Sequence, residues 1–239
     1  MPYWECRPAE GLRVAGGRLN RPLVGRAAIA PIRYAAEMDF LATPAASLIF
    51  AVTILTSLVA LFAVPSLIEQ NLFRPYWLLR KQQYATVITS GFIHADLGHL
   101  LFNMLTFYFF AFPLERAIGT TRFFALYVFG LIVSSVGTYY KHRTKTEYAS
   151  LGASGAILAV LFASIVYFPT QSLFIIPIPV PIPAPLFALS YLAYSIYQSK
   201  HSQGRINHDA HLSGAVAGIV FVALTDAGAF ANALRMVTG

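Results

Sequence analysis

Long uncharged apolar stretches alternate with short charged punctuation along the chain. No Asp, Glu, Lys or Arg occurs between Asp39 and Glu69, and a first membrane span is expected over residues 44–68. In the loop that follows, residues 69–96, Phe73, Tyr76, Trp77, Leu78 and Leu79 stand beside Arg74, Arg80 and Lys81. That mixture suits the headgroup interface rather than a crossing. A second span is expected over 97–114, ending at Glu115-Arg116, and a third over 123–140, stopped by Lys141-His142-Arg143. Residues 148–199 again lack Asp, Glu, Lys and Arg and are long enough for two spans with a break between them. Pro169, Pro177, Pro179, Pro181, Pro183 and Pro185 mark that break, because proline stops a helix. Its alternating Ile-Pro and Val-Pro pairs predict stiff polyproline-type backbone, which carries few donors needing partners near lipid. A last span is expected over 210–225. Spans of about 20 residues each give six in all, an all-α membrane protein with both termini on one side.

Composition supports that reading. The chain of 239 residues is 57% hydrophobic and 11% charged, whereas soluble domains carry roughly a quarter charged residues. Little is left for a separate soluble domain, so the expected division is an Arg-rich, poorly ordered extension (1–40), one membrane domain (41–229) and a short tail (230–239). The lone cysteine, Cys6, excludes an internal disulfide and a Cys-based structural metal site. The net charge of +7 is scattered through short loops without a basic, aromatic-interleaved stripe, so no nucleic-acid partner is expected. Arg7, Arg13, Arg18, Arg21, Arg26 and Arg33 precede the first span and favour a cytoplasmic amino terminus, with the protein in the plasma (inner) membrane. The first thirty residues contain no continuous apolar core of the kind a cleavable signal peptide needs. The Arg-rich head is compatible with an organelle transit peptide, but serine is absent before Ser47.

The chemistry lies inside the spans. Ser154 sits in Gly152-Ala153-Ser154-Gly155 at the start of span four, and His211 opens span six ahead of Gly214 and Gly218. Ionisable or nucleophilic groups at membrane depth point to function. Serine becomes a nucleophile when a base takes its proton, and histidine is suited to that near neutrality. A helix start supplies unpaired N–H groups for a developing oxyanion, and small neighbours leave room for a substrate backbone. His211, Gly214 and Gly218 share one helix face, so the glycines let that helix press on a neighbour and bring the imidazole towards Ser154. His99 and Asn103, at i and i+4, also share a face and can both donate to an oxyanion. Each feature has a plainer explanation as a small-residue packing seam or interhelical glue. Their joint occurrence favours catalysis. An orienting acid for His211, Asp96 or Asp209, is open at this level.

These residues resemble those of the rhomboid intramembrane serine proteases. The resemblance runs from about Trp77 to Asp226. It is carried by His94, by His99 to Asn103, by Leu114-Glu115-Arg116 leading to Gly119, by Gly152 to Ala156, and by Ala210-His211 with Gly214 and Gly218. It implies a six-transmembrane-helix rhomboid-like bundle. Ser154 would be the nucleophile and His211 its general base, with an oxyanion hole from His99, Asn103 and the Ser154 N–H, and Gly152 and Gly155 as support. The implied substrates are transmembrane proteins in the lipid bilayer, with no cofactor and no metal. Many rhomboids carry a tyrosine four residues after the serine, its ring packed on the histidine, where Leu158 stands here. Many also carry Trp-Arg in the first loop, where Ala85-Thr86 stands.

Two other classes compete with this reading. His94, His99, His208 and His211 invite a zinc site, but His-Glu-x-x-His is absent and no carboxylate falls inside an expected span. A catalytically silent rhomboid-like membrane-protein binding or quality-control factor is the stronger alternative. Such relatives are expected to have lost the serine or the histidine, and both are present.

Overall fold

The computed structural model describes residues 41–175, 178–201 and 207–238. The expected Arg-rich extension, residues 1–40, lies outside the described residues.

Helix α1 (Pro44–Leu58) starts on a proline, whose missing N–H is harmless in a first turn, and runs on through a π-helical turn, Val59–Ala63. The expected span reached residue 68, but the helix stops earlier. Val64 precedes Pro65 and is forced out of helical geometry, with φ −135° and ψ 74°. The loop beyond holds three short helices, α2 (Ser66–Asn71), α3 (Pro75–Arg80) and α4 (Thr86–Thr89). In it Arg80 lies over the Tyr76 ring at 3.9 Å and Lys81 over Trp77 at 4.3 Å. Aromatic rings capped by cations in this way suit the membrane surface.

Helices α5 (Leu97–Ile118) and α6 (Thr120–His142) form a hairpin around Gly119. That residue sits at φ 81°, a conformation glycine adopts without strain. The sequence pattern ended the second span before Glu115, yet the helix continues through it. Glu115 is 1% exposed, and its carboxylate accepts from Ala45 N at 3.1 Å and Ala46 N at 2.6 Å. A carboxylate facing the unpaired N–H groups of a helix start is stabilised by them, so a charge that looks like a boundary is an internal tie between α1 and α5.

Beyond α6 come α7 (Ser154–Tyr167), a hairpin of β1 (Ser172–Ile175) and β2 (Ile178–Pro183), α8 (Ala184–His201), α9 (His208–Thr225) and α10 (Gly228–Thr238). Residues from Gly155 to Ile165 of α7 are all buried, so this helix is the axis of the bundle, with α5, α6 and α9 packed around it. The tail expected at residues 230–239 is largely helical, as α10.

The proline-rich break is an antiparallel hairpin with Leu173 opposite Ile182 and Ile175 opposite Ile178, not polyproline backbone. Prolines alternate with Ile and Val, and a strand repeats every two residues, so the missing N–H groups all fall on one edge. The other edge keeps its donors for β1. Among the described residues the regular structure is therefore helical except for this hairpin and an isolated bridge between Phe73 and Ser150.

Among the described residues four helical stretches are long and apolar enough to cross a membrane: Pro44–Ala63, Leu97–Ile118, Thr120–His142 and His208–Thr225. Helix α7 is apolar but has only 14 residues, from Ser154 to Tyr167. Helix α8, with 18 residues, is diluted by Ser, Tyr, Gln and Lys towards its end.

Glycines set how closely α7 and α9 approach. A Cβ on Gly214 would overlap the carbonyl oxygen of Gly155, and one on Gly218 the carbonyl oxygen of Ala159. Backbone therefore lies against backbone along this seam. On its other side α7 meets α6, where Gly130 faces Ala156 and Ala159.

Candidate active site

The starts of α5, α7 and α9 and the ends of α6 and α8 contribute side chains to one region of the bundle. Three contacts fix the approach to α7. Phe73 and Ser150 exchange backbone hydrogen bonds at 2.9 and 3.0 Å, Gly152 N donates to Ser90 O at 2.9 Å, and Gly152 turns the chain at φ 118°. The helix then begins at Ser154 itself. Gly152 is glycine for a second reason: a Cβ there would come within 2.6 Å of the His99 ring.

Helix α9 is capped by Asn207, whose side chain accepts from Ala210 N at 3.0 Å and donates to Thr138 Oγ1 of α6 at 3.0 Å. One turn into the helix, His211 Nε2 lies 2.8 Å from Ser154 Oγ. The glycine seam makes this contact reachable, since it holds the first turns of α7 and α9 at backbone distance. The other ring nitrogen, Nδ1, lies 3.2 Å from the hydroxyl of Tyr191 on α8.

On the opposite side of Ser154, Asp96 caps α5 by accepting from His99 N at 2.7 Å. The His99 ring stands edge-on to His94, centroids 4.9 Å apart. Asn103 Nδ2 donates to His94 Nε2 at 2.9 Å, and Ala153 N points to the same nitrogen at 3.5 Å. With Nε2 accepting, His94 must carry its hydrogen on Nδ1, which donates to Ser57 Oγ at 3.0 Å. Ser57 in turn donates to Phe92 O at 3.3 Å. One Asn103 amide hydrogen is thereby spent on His94, and the relay fixes the plane of that amide.

His94 is fully buried, and burial, followed by the charge of neighbouring His99, holds it down at about 3. An unfolded chain would protonate this histidine as pH falls through about 6.5, while the folded one stays neutral until about 3. The stability His94 contributes is complete above the unfolded value and drains as pH falls through that window, by an amount on the order of a few kcal/mol. The unfolding temperature in detergent is expected to fall between pH 7 and pH 4, roughly, and to fall less in His94→Gln. Parallel curves for the two proteins would contradict a neutral, buried His94.

Neither acid considered from sequence serves His211. Asp209 accepts from Lys141 Nζ at 2.7 Å, His142 Nε2 at 2.8 Å and Ser199 Oγ at 2.6 Å. Asp96 is the cap of α5. Among the described residues no group of three His, Cys, Asp or Glu side chains converges as metal ligands. A pocket beside Ser154 is lined with hydroxyls from Ser90, Ser134, Ser135, Thr138 and Ser150.

Of the residues singled out by sequence, Ser154 and His211 are in hydrogen-bond contact, His99 lies against Gly152, and Gly155 lies against Gly214. Asn103 reaches His94. Sequence reasoning had His94 only as part of the resemblance and of a rejected zinc set, and it missed Tyr191. A histidine five residues before His99 was a signal for the first. A tyrosine in an apolar run offers none.

A serine and a histidine bonded across the facing starts of two helices, in a bundle with membrane-length spans, define a polytopic membrane protein with a Ser–His site. The chain belongs to the rhomboid family, since the Rhomboid domain model matches residues 81–226. It is 29% identical over 153 residues to RHOMBOID-like protein 12, mitochondrial, of Arabidopsis thaliana, covering 56% of this chain and 44% of that protein. It is 29% identical over 172 residues to Rhomboid protein 1, mitochondrial, of Saccharomyces cerevisiae, covering 68% and 49%. It is 32% identical over 136 residues to the rhomboid protein YdcA of Bacillus subtilis, covering 56% and 63%. The match therefore spans between 44% and 63% of the length of these relatives.

Proposed function

We propose that the protein is an intramembrane serine endopeptidase that hydrolyses peptide bonds of transmembrane substrates. The observation that carries this reading is the 2.8 Å contact between Ser154 Oγ and His211 Nε2. Nε2 takes the hydroxyl proton as Oγ attacks the substrate carbonyl. The same nitrogen then returns the proton to the leaving amine, and water, activated by His211, releases the acyl group. Negative charge on the carbonyl oxygen is met by the backbone N–H groups at the start of α7 and by the His99 and Asn103 side chains.

In this reading α7 and α8 complete a six-helix bundle with the four membrane-length stretches, over residues 41–229. Helix α7 needs no full span length, because α5, α6 and α9 surround it. The protein is placed in the plasma (inner) membrane with its basic head on the cytoplasmic side. Two of the relatives carry mitochondrial in their names, and the same rule would there put the head in the matrix.

The reading is tested by reconstituting the chain with a fluorescently tagged single-span peptide carrying small residues. Wild type is expected to cut it. His99→Ala and Asn103→Ala are each expected to lose about 10²- to 10³-fold in kcat, the usual cost of one oxyanion donor. Wild-type turnover in both variants would remove them from the oxyanion site.

A further inference from the structure

His211 has a partner at each ring nitrogen, and the partner at Nδ1 decides what Nε2 can do. To take the serine proton, Nε2 must be bare, so the neutral ring must carry its hydrogen on Nδ1. A free histidine side chain favours the opposite form, with the hydrogen on Nε2. An acceptor at Nδ1 reverses that preference, and in many serine hydrolases a buried carboxylate plays this part. Here Asp209 is engaged by Lys141, His142 and Ser199, and Asp96 caps α5. The Nδ1 partner is the phenol of Tyr191, 3.2 Å away.

The phenol is held firmly enough to orient a ring. Tyr191 stacks on Phe187, one turn earlier in α8, with centroids 5.7 Å apart, and leans on Phe162 of α7 at 5.8 Å. Eight residues further on, Ser199 donates to the Asp209 carboxylate, which Lys141 also holds, so the end of α8 is tied to α9 and α6. Packing on the ring and polar ties on the helix restrict where the hydroxyl can go, and Ser195, one turn further along α8, is its other polar neighbour.

We propose that Tyr191 is the positioning residue of the site: its hydroxyl accepts the Nδ1 hydrogen of His211 and holds the imidazole in the form that leaves Nε2 free for Ser154. This rests on the Ser–His reading above. When Nε2 gains the serine proton, Nδ1 keeps its hydrogen bond and the imidazolium stays in place to deliver that proton to the leaving group. A neutral phenol stabilises the cation less than a carboxylate does. Its loss should therefore cost less than the roughly 10⁴-fold seen when a charged orienting acid is neutralised.

The test uses the full chain in detergent with nitrogen-labelled histidine, His211 being identified by the signals missing from His211→Gln. Wild type is expected to show His211 protonated on Nδ1. Tyr191→Phe, which keeps the ring and removes only the hydroxyl, is expected to shift His211 towards the Nε2-protonated form. The same variant should react with a fluorophosphonate about 10- to 100-fold more slowly, with unchanged half-saturating probe concentration and unchanged unfolding temperature. A merely structural role would move the last two and spare the tautomer. An unchanged nitrogen pattern in Tyr191→Phe, or a wild-type labelling rate, would overturn the proposal. A wild type that ignores the probe and leaves the transmembrane peptide uncut, while Tyr191→Phe still shifts the tautomer, would retire the protease reading and leave the orienting role standing.

Discussion

Ser154→Ala is expected to lower cleavage of a reconstituted transmembrane peptide by about 10⁴-fold or more while the unfolding temperature stays at the wild-type value. The two effects separate because alanine differs from serine by one hydroxyl. Its loss leaves almost no cavity, and the backbone N–H groups at the start of α7 are untouched. His211→Ala should fall to a similar level, and the double variant should be no worse, since nucleophile and base act as a unit. The residual rate reports what binding and the oxyanion donors supply without the dyad. Additive losses in the double variant would mean that the 2.8 Å contact is not the working pair.

The second large effect is expected from Gly214→Ala. Its Cβ would overlap the Gly155 carbonyl oxygen, a backbone atom that no side-chain rotation can move, so α9 and α7 must part. Overpacking of this kind costs about 1–3 kcal/mol. Because Ser154 and His211 sit on the two helices being separated, turnover should fall about 10²-fold, the usual consequence of a misplacement near 1 Å. Gly228→Ala is the control: a Cβ there meets nothing closer than 3.6 Å, from the Asp226 side chain, and both readouts should match wild type. Wild-type turnover in Gly214→Ala would show that the seam does not set the distance between the pair.

The sequence made the spans legible where lipid or core demands apolar residues without interruption, and misplaced their ends where a tertiary partner changed the cost of a group. Glu115 looked like the end of a helix because an unpaired carboxylate ends one, and only the start of α1 shows what neutralises it. Val64 and Pro65 carried a local stop signal that the uncharged run through residue 68 concealed. The alternating prolines at 179, 181 and 183 excluded helix, but a strand and a polyproline segment share that exclusion. Only pairing with β1 separates them.

Ser154 and His211 stood out because polar chemistry beside glycine is conspicuous in an apolar run. Tyr191 did not, since a phenol in an apolar helix is ordinary, and its relation to His211 is set by how α8 lies on α9. For the same reason neither Asp96 nor Asp209 could be assigned from sequence. Asp209 lies two residues from His211 in the chain, but its carboxylate is taken by α6 and α8.

The most direct measurement is the intact mass of the detergent-purified chain after exposure to a fluorophosphonate. Addition of a single phosphonyl group, mapped to Ser154 and missing in His211→Ala, is the result expected of an activated serine. A folded wild-type chain that gains no mass and leaves the reconstituted transmembrane peptide uncut would contradict it.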